Sequence, residues 1–227
     1  MIIIGGKPEA RDVMMRKVRV QFPCGELSLE GILDIPEGSG PFPAVIVCHP
    51  HPLYGGSMNN NVVGSVSAAL TAASFVSFKF NFRGVGRSQG EYAGGIGEQE
   101  DVKAAISYLA TVKAVDGRRL GLAGYSAGAA FGLPVGCSDA RIKALAAISP
   151  PLAMFDFDFL AGCPKPKLLL SGSRDGFTHR ARFLEFCRHL KAEEEHDSIY
   201  GADHFWWGYE AALAARVTTF FSRVLPA

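Results

Sequence analysis

Gly124-Tyr125-Ser126-Ala127-Gly128 reads G-x-S-x-G. That spacing suits a sharp strand-to-helix turn that lifts a serine hydroxyl clear of its strand, with glycines where a Cβ would meet neighbouring backbone. A hydroxyl so presented can attack a carbonyl carbon. The next backbone N–H, that of Ala127, then faces the developing oxyanion, assisted by the positive end of the helix. The apolar stretch Leu120-Gly121-Leu122-Ala123 precedes the motif and a run of small residues follows it. The bland alternative is a glycine turn with an incidental serine. Glycine recurs at Gly124, Gly128, Gly132 and Gly136, which predicts a helix with one bare face lying close to a sheet.

A serine nucleophile needs a base, and the base needs a carboxylate to orient it. Where this kind of turn serves hydrolysis, the chain order is serine, acid, histidine. Downstream, Lys167-Leu168-Leu169-Leu170 is followed by Ser171-Gly172-Ser173-Arg174-Asp175-Gly176. Asp175 therefore falls at the carboxyl end of a strand, with Asp156 and Asp158 as weaker rivals. Next, Ser198-Ile199-Tyr200 leads into Gly201-Ala202-Asp203-His204-Phe205-Trp206-Trp207-Gly208. His204 lies after a late strand and before the last helix, where Phe205, Trp206 and Trp207 could wall it from water. His179, His189 and His196 sit in charged surroundings and read as surface residues. Asp203 adjoins His204, and adjacent side chains usually diverge, so Asp175 is the expected orienter.

Two earlier loops bear on the same chemistry. Val45-Ile46-Val47-Cys48 ends in His49-Pro50-His51-Pro52-Leu53-Tyr54-Gly55-Gly56, a position from which a second oxyanion N–H can come. The expected donor is the backbone of His51, with Leu53 or Tyr54 as fallback. The competing reading, a metal-binding H-x-H pair, lacks further ligands nearby, so no metal is expected. Asn81-Phe82-Arg83-Gly84-Val85-Gly86-Arg87-Ser88-Gln89-Gly90 approaches a dinucleotide fingerprint, but no helix opens after it. It reads as a structural turn.

The elements that would hold these loops follow from hydrophobic pattern. Lys17–Phe22 alternates as a half-exposed strand does, and Leu27–Ile35 is a second candidate. Continuous apolar runs at 44–48, 75–80, 120–123, 144–148, 167–170 and 197–200 alternate with helical segments near 60–73, 98–112, 126–135, 178–190 and 209–224. Such alternation predicts one α/β domain spanning 1–227, antiparallel at its start and then a parallel sheet covered on both faces. Sites in such sheets lie beyond the carboxyl ends of the strands.

Composition narrows the function. Lys plus Arg is 23 against 22 for Asp plus Glu, a net charge of +1. That balance gives no field to attract nucleic acid or anionic membrane. The uncharged stretch Leu120–Ser138 contains glycines, serines and a proline and reads as buried strand, turn and helix. The run Met1-Ile2-Ile3-Ile4 is too short for a signal peptide. The five cysteines (24, 48, 137, 163 and 187) form no C-x-x-C and read as free thiols in a reducing, cytoplasmic setting. The 26 glycines exceed the usual ~7%, and most fall in turns beside the proposed strands and reactive residues.

Four motifs in order, at Cys48–Gly56, Asn81–Ser88, Gly124–Gly128 and Ala202–Phe205, resemble the α/β-hydrolase superfamily, and within it a small dienelactone-hydrolase-like group of serine esterases. The resemblance spans Pro43 to Gly208. It implies a mostly parallel eight-stranded sheet flanked by helices, a Ser126–Asp175–His204 triad and hydrolysis without a cofactor. True dienelactone hydrolases carry cysteine where this chain has Ser126, so dienelactone itself is not the expected substrate. Only 149–166, about 18 residues, is available for a lid after the sixth strand, which suggests an open site for small acyl esters. Tyr54, Tyr125, Phe155 and Trp206 are candidate pocket walls, with Phe157 and Phe159 as further aromatics beside them. A thioesterase or short-peptide hydrolase, and a non-catalytic binding protein of the same fold, stay open as alternatives, as does the choice between monomer and homodimer.

Overall fold

The computed structural model describes residues 15–190 and 194–226; the Met1–Ile4 run lies outside them. Eight strands form one sheet in the order β1-β2-β4-β3-β5-β6-β7-β8. The strands are β1 (Met15–Cys24), β2 (Leu27–Pro36), β3 (Phe42–Cys48), β4 (Val76–Phe80), β5 (Val115–Tyr125), β6 (Ile142–Ile148), β7 (Lys167–Gly172) and β8 (Glu194–Ile199). β1, β2 and β4 pair antiparallel, and β4, β3, β5, β6, β7 and β8 pair parallel. The helices are α1 (Asn61–Ala72), α2 (Ile96–Leu109), α3 (Ala127–Ser138), the single turn α4 (Phe159–Gly162), α5 (Arg180–His189) and α6 (Glu210–Val224).

Alternation along the strands sorts the core into two layers, because successive side chains leave a strand on opposite faces. Val45, Val47, Ala123, Ala146 and Leu168 pack under α1 and α6 through Val62, Val66, Leu213 and Val217. Ile46, Cys48, Leu122, Leu145 and Leu169 pack on the other face with α2 and α3 through Val102, Ile106, Phe131 and Leu133. Both faces are covered, which is why the central strands read as unbroken apolar runs. β8 begins earlier than its apolar residues indicate and carries Glu194, Glu195 and His196. It is the last strand of the sheet, and an edge strand accommodates charge.

The chain passes from β3 outward to β4 and then returns to β5 on the other side of β3. The sheet therefore changes winding direction between β3 and β5, and a crevice opens beyond their carboxyl ends. In the β3–β5 register Cys48 faces Gly124, so the loop after β3 and the turn after β5 emerge side by side.

One expectation is corrected here. Cys137 and Cys163 form a disulfide with Cα atoms 5.7 Å apart, leaving Cys24, Cys48 and Cys187 free and buried. The two partners lie 26 residues apart in sequence, and the end of α3 meets the end of α4 only in the folded chain. Three free thiols and one disulfide thus stand where five free thiols were expected. The glycine loop after β4 is a structural turn, as expected. Arg83 donates to both Asp101 oxygens in a largely buried ion pair, and Asn81 bridges the Glu30 carboxylate and the Met58 N–H. No helix of the described residues is long and apolar enough to cross a membrane.

Candidate active site

Ser126 sits between β5 and α3 with φ 54° and ψ −125°, a backbone state that L-residues other than glycine avoid. Its neighbours make that state possible. A Cβ on Gly124 would lie 2.5 Å from Ala129 Cα, and one on Gly128 would lie 2.5 Å from the Cys48 carbonyl oxygen. Both contacts are with backbone, so neither can be relieved by rotating a side chain. The Ser126 N–H donates to the Ile148 carbonyl at 2.8 Å, which fastens the turn to β6. Beyond it, a Cβ on Gly132 would lie 3.1 Å from Cys48 Sγ and from Leu122 Cδ2, and one on Gly136 would lie 2.6 Å from Leu145 Cδ2, which is the close helix-on-sheet packing that the glycine spacing predicts.

His204 is held over Ser126 by the loop after β8. The Asp203 carboxylate accepts the N–H groups of Phe205 and Trp206 at 2.9 and 3.0 Å, so it shapes the turn, while the imidazole nitrogens bond to other side chains. The Tyr125 hydroxyl donates to the His204 carbonyl at 2.8 Å. His204 Nε2 lies 2.9 Å from Ser126 Oγ, and Nδ1 lies 3.0 Å from each oxygen of Asp175. An imidazole placed so, with its Nδ1–H turned to a carboxylate, presents Nε2 as an acceptor to the serine hydroxyl.

Asp175 occupies the loop after β7 and is almost fully buried. Burial alone pushes its carboxyl up. His204, the Ser149 hydroxyl and the Thr178 N–H oppose that and together hold it below the usual carboxylate range. The N–H groups of Phe177 and Thr178 both donate to Oδ1 at 2.9 Å. Asp156 instead accepts the Asp158 N–H in an exposed turn and takes no part.

The loop after β3 brings its first histidine inward and its second to the crevice. His49 is completely buried. The Phe82 N–H can only donate, so the His49 Nε2 that meets it at 3.0 Å accepts. Nδ1 then carries the hydrogen and donates to the Pro50 carbonyl at 2.6 Å. Both ring nitrogens are thus in use, and the H-x-H pair does not converge as ligands. The Leu53 N–H donates to His51 Nδ1 and the Tyr54 N–H to the His51 carbonyl. Those two backbone donors are taken, while the N–H groups of His51 and Ala127 make no hydrogen bond among the described residues and border the crevice. Elsewhere, Cys187, Glu194 and His196 come within 4.8 Å of one another, at the amino end of β8 and so at the opposite end of that strand from the crevice. His196 there pairs with Glu194 at 2.9 Å, and burial pushes the Cys187 thiol up to about 12.

The crevice encloses about 390 Å³ and is lined by Ser126, His204, Tyr54, Tyr125 and Phe155, with Asn60 and the glycines of the β3 loop beside them. Trp206 is not among its walls. At φ 64° the backbone turns the indole inward, where it is fully buried against the α6 layer and donates to Ser149 Oγ at 3.0 Å. Phe157 also belongs to the core. The walls that sequence did not single out are Pro151, Met154 and Phe177, while Phe205, one of the aromatics expected around His204, lines the crevice beside it. Phe177 lies 4.6 Å from the His204 ring, centroid to centroid. A phenylalanine directly after the acid loop is the signal that could have found it.

This sheet order, with a serine at the turn after β5 and a histidine beyond β8, defines an α/β hydrolase of the serine-hydrolase type. Residues 29–201 match the X-Pro dipeptidyl-peptidase (S15) family, and the chain belongs to that family. An uncharacterised protein of Rickettsia prowazekii (strain Madrid E), RP471, is 36% identical over 172 residues, 72% of each chain. Among solved structures, an α/β serine hydrolase homologue from Coxiella burnetii superposes with a TM-score of 0.79 at 32% identity, covering 90% of this chain and 96% of the other. XC6422 from Xanthomonas campestris, an α/β serine hydrolase without lid, gives 0.81 at 28% identity over 97% and 99% of the two chains.

Proposed function

We propose that the chain hydrolyses carboxylic esters of small, uncharged acyl groups through an acyl-enzyme on Ser126. The observation that carries this reading is His204 bridging Ser126 Oγ at 2.9 Å and Asp175 at 3.0 Å on the floor of a crevice whose walls, among the described residues, hold no carboxylate and no lysine or arginine. His204 Nε2 takes the Ser126 proton as Oγ attacks the carbonyl carbon. Asp175 keeps Nδ1 protonated and stabilises the imidazolium. The N–H groups of Ala127 and His51 receive the oxyanion. Collapse of the tetrahedral intermediate expels the alcohol, which takes the proton from His204. Water, deprotonated by His204, then releases the acid.

The uncharged walls favour an ester over an amino-terminal dipeptide. A free α-ammonium drawn into a partly apolar crevice needs a carboxylate partner to offset its desolvation, and none of the described residues that line this one supplies it. The test is a substrate panel on wild type and Ser126→Ala: p-nitrophenyl esters of rising chain length, matched thioesters, and an X-Pro anilide. The expected result is hydrolysis of short neutral esters that Ser126→Ala abolishes. Unchanged ester turnover in Ser126→Ala, or preferred cleavage of the X-Pro anilide, would overturn the proposal.

A further inference from the structure

The aromatic rings of the crevice fall into two groups. Tyr54 lies 4.7 Å from the His51 ring and Phe155 lies 5.8 Å from the Phe131 ring, centroid to centroid, with His51 and Phe131 6.1 Å apart. Phe177, Phe205 and the buried Tyr125 lie instead 4.6, 5.7 and 5.7 Å from the His204 ring. Among the described residues no ring contact joins the two groups. Phe177 and Phe205 leave much of their surface in solvent, although His204 beside them is buried. Both are anchored through their backbone. The Phe177 N–H donates to Asp175 and the Phe205 N–H to Asp203, each at 2.9 Å, and the Phe205 carbonyl accepts the Asn61 side-chain amide at 3.0 Å. Two apolar rings are thus held at the crevice with surface left to cover.

The chemistry of acyl transfer gives each group its half of an ester. In the tetrahedral intermediate on Ser126, the leaving oxygen must reach the proton on His204 Nε2, which it takes as the C–O bond breaks and the bonding pair departs with it. The oxyanion points to the N–H groups of Ala127 and His51, and the acyl carbon takes the direction that remains. The first carbon of the alcohol is one bond beyond the oxygen that faces His204. It therefore enters the surroundings of that imidazole, where Phe177 and Phe205 stand. The acyl group is left with the Tyr54 and Phe155 end. Among the described residues the walls carry no carboxylate, lysine or arginine, so the alcohol they suit is apolar. Ring against ring, offset or edge-on, adds to the burial of apolar area, a gain that a saturated group of equal size lacks.

We propose that Phe177 and Phe205 form the subsite for the alcohol portion of the ester and make arylmethyl alcohols, of the benzyl type, the preferred leaving groups. The proposal rests on the triad reading above, because His204 fixes where the leaving oxygen sits. The crevice is thereby divided, with a small acyl group at the Tyr54 end and a ring-bearing alcohol at the Phe177 end. The same subsite serves the reverse step. Once the first alcohol has left, a benzyl-type alcohol can take its place, give its proton to His204 Nε2 and attack the acyl carbon. The bond to Ser126 Oγ then breaks, Oγ recovers the proton from His204, and a new ester forms.

The experiment compares benzyl, cyclohexylmethyl and methyl acetate, esters of primary alcohols of similar leaving ability, on wild type, Phe177→Ala, Phe205→Ala and the double variant. Methyl esters of rising acyl length run alongside, and a fluorophosphonate labels Ser126 in each protein. Wild-type kcat/KM should be about tenfold higher for benzyl than for methyl acetate, and higher than for cyclohexylmethyl acetate. The benzyl-to-methyl ratio should fall about threefold in each single variant and about tenfold in the double variant. No benzyl preference in wild type, a preference for cyclohexylmethyl over benzyl acetate, an unchanged ratio in the double variant, or a change confined to the acyl-length series would overturn the proposal. A measurement on wild type alone decides the matter should the variants fail to fold. The acetyl-enzyme formed from p-nitrophenyl acetate should be captured by benzyl alcohol about tenfold more often than by methanol at equal concentration, and equal capture would count against the subsite. Absence of Ser126 labelling in wild type, with no turnover of any ester, would instead refute the triad reading itself.

Discussion

His49 offers the sharpest quantitative test of how this fold carries its crevice. Burial pushes its imidazole down to about 4 from 6.5, against the pull of the Pro50 carbonyl. The neutral ring ties the loop after β3 to the backbone following β4 through Phe82. A group with a depressed folded-state basicity binds fewer protons folded than unfolded between those two values, so stability falls as pH drops from about 6.5 to about 4. At 1.36 kcal/mol per pKa unit the loss is about 3 kcal/mol, a large fraction of the stability of an ordinary domain. Asp175 does not interfere. Its folded pKa is held below the usual carboxylate range, so its contribution is complete above the unfolded value and is lost only as pH falls below it. Urea unfolding of wild type and His49→Gln between pH 7.5 and 4.0 reads the difference directly, since the amide cannot titrate. The variant should lose about 3 kcal/mol less than wild type over that span. Equal losses in the two proteins would refute the assignment of His49 as a buried neutral imidazole.

Two further substitutions probe the turn and the acid. Gly128→Ala sets a methyl group 2.5 Å from the Cys48 carbonyl oxygen, and should lower stability by about 1–3 kcal/mol, read as a falling Tm; an unchanged Tm would contradict the close approach. Asp175→Asn removes the carboxylate that sets the His204 tautomer, and ester kcat should fall by about 10³–10⁴, with stopped-flow or extended spectrophotometric assays measuring the residue.

What could be read in the chain beforehand was whatever is decided locally. The turn at Ser126 was legible because the obstacles to a Cβ on Gly124 and Gly128 come from the same motif and the strand beside it. The places of Asp175 and His204 were legible because each follows a segment read as a strand, and parallel strands end at one edge of their sheet. Trp206 was misplaced because its orientation depends on a positive φ set by the Asp203 turn, which hydrophobicity does not encode. Phe177 and Met154 became walls only through loop paths across the sheet edge. The Cys137–Cys163 bond joins residues whose spacing matches no short motif. The early start of β8 escaped a search for apolar runs because its outer edge tolerates Glu194 and Glu195.

The same division separates reactivity from selectivity. Ser126, His204 and Asp175 hang on backbone contacts within the sheet ends: the Ile148 carbonyl, the Tyr125 hydroxyl and the Phe177 and Thr178 N–H groups. Changing those contacts costs folding free energy along with rate. The outer walls are different. Tyr54, Met154, Phe177 and Phe205 come from four separate loops and are 80%, 53%, 44% and 53% exposed, so their side chains add little to the core. They can be exchanged at small cost in stability while changing the shape that an acyl or alcohol group meets. With only the short segment after β6 in place of a lid, these four side chains are where substrate preference can change independently of the fold.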